Sequence, residues 1–153
     1  MNKDLLRLID ASFNRSREGL RVCEDIARFL LDSGPLTRQF KDIRHSVTAI
    51  VGGMPGKAAG KAVRLSDFRD VIRDVGRCSK KKSEMTRIDC RDIFAANTER
   101  VKESLRVLEE FFKLIDRDRS KALSRLRFRM YDIEKGSAKK IAALSGIKCV
   151  LKG

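Results

Sequence analysis

At 153 residues, 42% hydrophobic and 6% aromatic, the chain suits one domain burying about 68–70% of its unfolded surface. Its 35 Lys and Arg against 21 Asp and Glu give a net charge of +14, which favours phosphorylated or polyanionic partners without choosing among nucleic acid, an anionic membrane surface and a nucleotide. Cys23, Cys78, Cys90 and Cys149 show no CxxC spacing and His45 is the single histidine, so no zinc-ligand set is legible; no run approaches the roughly 18 apolar residues of a membrane span, and reduced thiols in a cytoplasmic protein are expected.

From Lys3 to Leu31 the apolar residues Leu5, Ile9, Phe13, Leu20, Cys23, Ala27 and Leu30 recur at helical spacing. At 100° per residue, Asn14, Glu18, Arg21 and Asp25 fall within about 60° of one another on a polar stripe. Arg15 points between Val22 and Ile26, and Arg100 between Val107 and Phe111, so both guanidinium groups are expected to approach a helix interface. Gly34 and Pro35 are expected to end the first helix, glycine as a C-terminal cap and proline because the residue before it resists the α region. A second helix, Leu36 to Val51, carries Phe40, Ile43, Val47 and Ile50, with Arg44 and His45 adjacent, completing a hairpin over 3–51.

Residues 52–88 form an irregular insert. It opens with "GGMPGKAAGK", in which Gly52 stands one residue too close to Gly56 and Lys57 for a Walker phosphate loop, and Ala58 follows where Ser or Thr is needed. "FRDVIRDVG" sets Arg69, Asp70, Asp74 and Gly76 in an expected turn, and "SKKKSEMTR" brings Glu84 and Arg87 three residues apart. Asp89 and Asp92 mark the start of a third helix running to about Ile115. A fourth runs from near Arg119 toward Ala143 despite Gly136, with Gly146 as its stop. The second hairpin thus spans 89–146, and 147–153 is a tail without an assigned structure.

The two hairpins are written from one pattern. At an offset of 85, Ala11, Arg15, Glu18, Leu20, Arg21, Val22 and Glu24 meet identical residues at Ala96, Arg100, Glu103, Leu105, Arg106, Val107 and Glu109; an offset of 83 matches Arg44 with Arg127. Core duplication alone would reproduce apolar positions, yet four of these seven identities are charged, as a polar pocket would leave them. A solvated face with i,i+3 and i,i+4 ion pairs is the plainer reading. For Arg15 and Arg100 two readings stand open: pairing with a glutamate of the other repeat across the bundle, or an anion pocket. The fold implied is all-α, a bundle of two repeated antiparallel helical hairpins with the insert between them, related by a pseudo-twofold.

The segments "NRSREGLRVCEDIARF", "KDIRH", "RDVIRDVG", "SEMTR" and "AANTERVKESLRVLEE", in this order, resemble the small hydroxymethylpyrimidine phosphate kinases of thiamine biosynthesis. That family occurs alone or fused N-terminally to thiamine phosphate synthase. The resemblance implies ATP-dependent phosphorylation of 4-amino-5-hydroxymethyl-2-methylpyrimidine phosphate to its diphosphate, with ATP and Mg2+. It further implies thiamine phosphate synthase as a functional partner, and a homodimer is compatible with it. Carried over by residue, it implies catalytic roles for Arg15, Arg100, Asp74 and Glu84, and phosphate binding by Arg21, Arg44, His45, Arg87 and Arg106. The magnesium candidates are Asp74, Glu84, Glu18 and Glu103. The alternative is a non-enzymatic nucleic-acid-binding bundle; the absence of Trp and the single Tyr131 leave it few stacking groups.

Overall fold

A computed structural model describes residues 2–54, 64–69 and 86–147. They form four helices, α1 (Lys3–Phe29), α2 (Gly34–Gly52), α3 (Cys90–Phe112) and α4 (Arg117–Ala142), with a 3-10 turn over Leu65–Phe68. Among the described residues there is no strand, and no helix is long and apolar enough to cross a membrane. The class is all-α, as the periodicity predicts.

Helices α1 and α3 pack against each other, α2 lies on α1, α4 on α3, and α2 touches α4. The shared core takes Ile9, Leu20 and Cys23 from α1, Phe40 and Ile43 from α2, Phe94, Leu105 and Phe112 from α3, and Leu123 and Met130 from α4. Phe40 and Phe94 meet edge to face with ring centroids 5.8 Å apart. The ends of α2 are tied to α4 by polar contacts. At one end Arg119 donates to the carbonyls of Ile50 (2.7 Å) and Gly53, groups that a helix C-terminus leaves unpaired. At the other, Lys140 donates to Ser33 Oγ at 3.0 Å. These two contacts set α2 antiparallel to α4.

One boundary differs from the sequence reading. Gly34 and Pro35 do not end α1; they open α2, with Ser33 at its N-cap and Pro35 in its first turn. The left-handed residue after α1 is Asp32 (φ 44°), and Ser33 N–H closes the turn on Ala27 O at 2.9 Å. Proline is favoured where a helix N–H has no partner, so the same residue that stops one helix is suited to start the next. Asp89 does cap α3, accepting from Asp92 N–H at 2.9 Å. Its other oxygen accepts from Gly146 N–H at 2.9 Å, which pins the turn after α4; Gly146 adopts φ +79°, a conformation that favours glycine.

Small residues set the distance between α1 and α3. Ser12, Ser16 and Gly19 are buried on α1, and Asn97, Val101 and Ser104 on α3. A Cβ on Gly19 would lie 2.8 Å from Val101 Cγ2 and 3.0 Å from the Asn97 carbonyl oxygen, and the carbonyl belongs to helix backbone that cannot step aside.

Gly19→Ala is therefore expected to destabilise the fold by about 1–3 kcal/mol in urea unfolding. Gly136→Ala, in α4 with open space around the added methyl, is expected to stabilise it by about 0.5–1 kcal/mol. A second expectation concerns acid. Hydrogen bonds from Gly146 N–H first, then Asp92 N–H, hold the Asp89 carboxyl below its ordinary range. Its contribution is thus present above the unfolded-state value of about 4 and lost as pH falls through the lower folded value. Asp89→Asn should melt below the wild type at pH 7, with the gap closing as both are taken below about pH 4.

Candidate functional site

Each hairpin is locked by one buried carboxylate held between two arginines. In the first, Arg44 of α2 donates Nε to Glu24 Oε2 at 2.9 Å, and Arg21, one turn before Glu24 on α1, approaches Oε1 at 3.3 Å. In the second, Arg127 of α4 donates Nε to Glu109 Oε2 at 2.9 Å and Arg106 reaches Oε1 at 2.9 Å. The positions matched in sequence thus make matching contacts. Glu24 and Arg44 keep only 8% and 14% of their side chains exposed, whereas Arg21 is 56% exposed. A carboxylate this buried needs its cations, since an uncompensated charge there would cost several kcal/mol.

Beside the first of these clusters lies a groove of about 470 Å³ lined by Asn14, Arg17, Glu18, Arg21, Val22 and Arg44. Asn14 is oriented by donating Nδ2 to the Asp10 carbonyl and to Asp10 Oδ1, at 2.8 and 3.0 Å. Arg17 lays its guanidinium over the Phe13 ring, 5.2 Å from the centroid. Its Nε is inaccessible to solvent and has no hydrogen-bond partner among the described residues, an omission that ordinarily costs about 1–3 kcal/mol. Buried Asp10 also chelates Arg69, Nε to Oδ2 at 2.8 Å and Nη2 to Oδ1 at 3.0 Å. That fork fastens residues 64–69 to α1 one turn from Asn14, and the bond to Asp10 raises the Arg69 pKa.

Of the residues singled out in the sequence, the groove gathers Glu18, Arg21 and Arg44. Arg106 belongs to the second cluster. Arg15, His45, Arg87, Arg100 and Glu103 are exposed and do not line the groove, while Asp74 and Glu84 lie outside the described residues. The expectation that Arg15 and Arg100 approach the helix interface is corrected: small side chains bring α1 and α3 too close to admit a guanidinium, and both arginines turn outward. Nor, among the described residues, does either pair with a glutamate across the bundle. Arg100 donates to Asn97 Oδ1 at 3.3 Å, and Arg15 has no ion pair among the described residues.

Arg17 was not legible as a site residue because its match in the second repeat is Lys102, not arginine. Its spacing, one turn before Arg21 on the polar stripe, is the signal that would have found it. Cys23 is no nucleophile: burial first, and the charge of Glu134 second, push its thiol up to about 12. Among the described residues no three His, Cys, Asp or Glu side chains converge as a metal cluster.

Fold and groove together define an all-α protein with oriented arginines along one groove. The chain belongs to the ThiD2 family, whose model matches residues 7–136, both hairpins and the insert included. It is similar to proteins named thiamine-phosphate synthase: 36% identical over 132 residues to that of Synechocystis sp., covering 86% of this chain and 36% of the relative. The Rhodopirellula baltica protein is 32% identical over 144 residues, 94% of this chain and 37% of the relative. That of a Nostoc sp. is 35% identical over 128 residues, 84% and 34%. The chain therefore spans little more than a third of the length of these relatives. No solved structure matches.

Replacing Glu24 by Gln should cost about 1–3 kcal/mol by removing the negative charge and one of the two acceptor oxygens that Arg44 and Arg21 share. Arg21→Gln, at an exposed position, should cost under about 1 kcal/mol. Urea titrations of the two variants read the difference.

Proposed function

We propose that this chain transfers the γ-phosphoryl group of ATP to 4-amino-5-hydroxymethyl-2-methylpyrimidine phosphate, giving its diphosphate for thiamine synthesis by a thiamine phosphate synthase. The observation that carries the reading is the groove in which Arg21 and Arg44, both paired to buried Glu24, stand beside Glu18 and Asn14. Family membership and the likeness to a third of several thiamine-phosphate synthases support the pathway.

The acceptor's phosphate has a second pKa near 6, so at neutral pH it is already largely ionised. One of its oxygens attacks the γ-phosphorus while the bond from that phosphorus to the β,γ-bridging oxygen breaks, and ADP leaves. No side chain needs to remove a proton. The obstacle is repulsion between two anions, and rate is gained by alignment and by cations already in place. Guanidinium suits this because its planar fork meets two phosphate oxygens at once. Glu24 keeps the Arg44 fork oriented before any ligand arrives.

Magnesium fits the groove through Glu18, an exposed carboxylate on its wall, since this ion takes one or two carboxylates and otherwise phosphate oxygens and water. When bound it would neutralise charge on the transferring phosphates. Asp74 and Glu84 of the insert and Glu103 of α3 are the further carboxylates of this reading. Arg15, Arg87, Arg100 and His45 are its further phosphate ligands.

ADP release in the presence of the pyrimidine monophosphate, ATP and Mg2+ tests the proposal. Turnover is expected with the monophosphate and almost none with the free alcohol, which lacks the group that the arginines hold. Arg44→Lys, keeping charge but losing the fork, should lower turnover by about 100-fold while the far-UV circular dichroism stays helical. Equal rates on monophosphate and alcohol, or no ADP release above an enzyme-free control, would overturn the reading.

A further inference from the structure

The second hairpin shows what Arg17 lacks. At the offset of 85, Arg17 and Asn14 correspond to Lys102 and Glu99. At the offset of 83 fixed by Arg44 and Arg127, Val51 corresponds to Glu134. Lys102 is buried and held by both acids, donating Nζ to Glu99 Oε1 and to Glu134 Oε2, the latter at 2.7 Å. The Tyr131 ring lies 5.1 Å from its ammonium nitrogen. Burial would lower the Lys102 pKa, yet the bonds to Glu134 and Glu99 outweigh it and the net shift is upward. This cation carries its own carboxylate oxygens.

In the first hairpin neither acid is present: one position holds a neutral amide and the other an alkyl group. Arg17 has no ion pair there among the described residues, and its Nε is shut off from water without a hydrogen-bond partner. Arg17 and Asn14, the counterpart of Glu99, both line the open groove of about 470 Å³, while Val51, the counterpart of Glu134, is buried in the core. We infer that Arg17 binds a phosphate group of the ligand, whose oxygens reach it from the groove on the side where Glu99 meets Lys102. Of the two repeat-related positions, the first is the ligand site and the second is closed by its own acids. The inference deepens the kinase reading, on which it rests for the identity of the phosphate-bearing ligand.

Calorimetric titration of the whole chain with inorganic pyrophosphate tests it without turnover. One pyrophosphate per chain is expected. Arg17→Met keeps the contact with Phe13 and should weaken binding at least about tenfold, the loss of one charged hydrogen-bonding group. Asn14→Glu, which copies Glu99 into the first hairpin, should weaken it to a similar degree by giving Arg17 an internal partner, with some fall in melting temperature from the lost bonds to Asp10. Lys102→Met should bind as the wild type does and melt earlier. Binding unchanged in Arg17→Met, two equivalent sites per chain, or no pyrophosphate bound by the wild type would each overturn the inference. Pyrophosphate binding lost with Arg17, in a chain that releases no ADP, would uphold this site and end the kinase reading.

Discussion

Two buried carboxylates, Glu24 and Glu109, decide how the helices of each hairpin face one another. A carboxylate removed from water must be met by cations, and each is met by an arginine from the partner helix and another from its own. Sliding α2 along α1 by one residue would carry Arg44 away from Glu24 and strand both charges, so the apolar core is held in one register by a polar contact. The same contact orients a guanidinium at the edge of a groove. Fold and groove geometry thus share a residue, since Glu24 both closes the hairpin and orients the Arg44 guanidinium.

The close approach of α1 and α3 has a comparable reach. Gly19, Ser16 and Ser12 let the helix backbones come together, and the space so removed excludes the long side chains next to them. Arg15 is adjacent in sequence to buried Ser16, yet it is exposed. The groove consequently sits away from this interface and is furnished by Asn14, Arg17, Glu18 and Arg21. Helix direction alone put Arg15 near the interface; the separation of the axes decided which way its side chain went.

Matching the two repeats by identity selects what the halves have in common. That comparison found Arg21 with Arg106 and Glu24 with Glu109, residues whose contacts recur in both hairpins. It passed over Arg17 because Lys102 stands in its place, although Lys102 is paired with Glu99 and Glu134 whereas Arg17 lines an open groove. Identity between repeats is thus informative about the shared brace, and divergence between them about the groove that only one of these two cations lines.

The sequence by itself determined the four helices, their amphipathic faces, the cap at Asp89 and the stop at Gly146, because these follow from periodicity and from backbone preferences within a few residues. It also carried the recurrence of Arg21, Glu24 and Arg44 as Arg106, Glu109 and Arg127, positions whose contacts match. The exit of α1 at Asp32 rather than Gly34, the outward turn of Arg15 and Arg100, and the unbonded Nε of Arg17 were decided only by tertiary structure. Each depends on how near a second helix lies and on which groups it brings, distances set by packing across the bundle and not by any local run of residues.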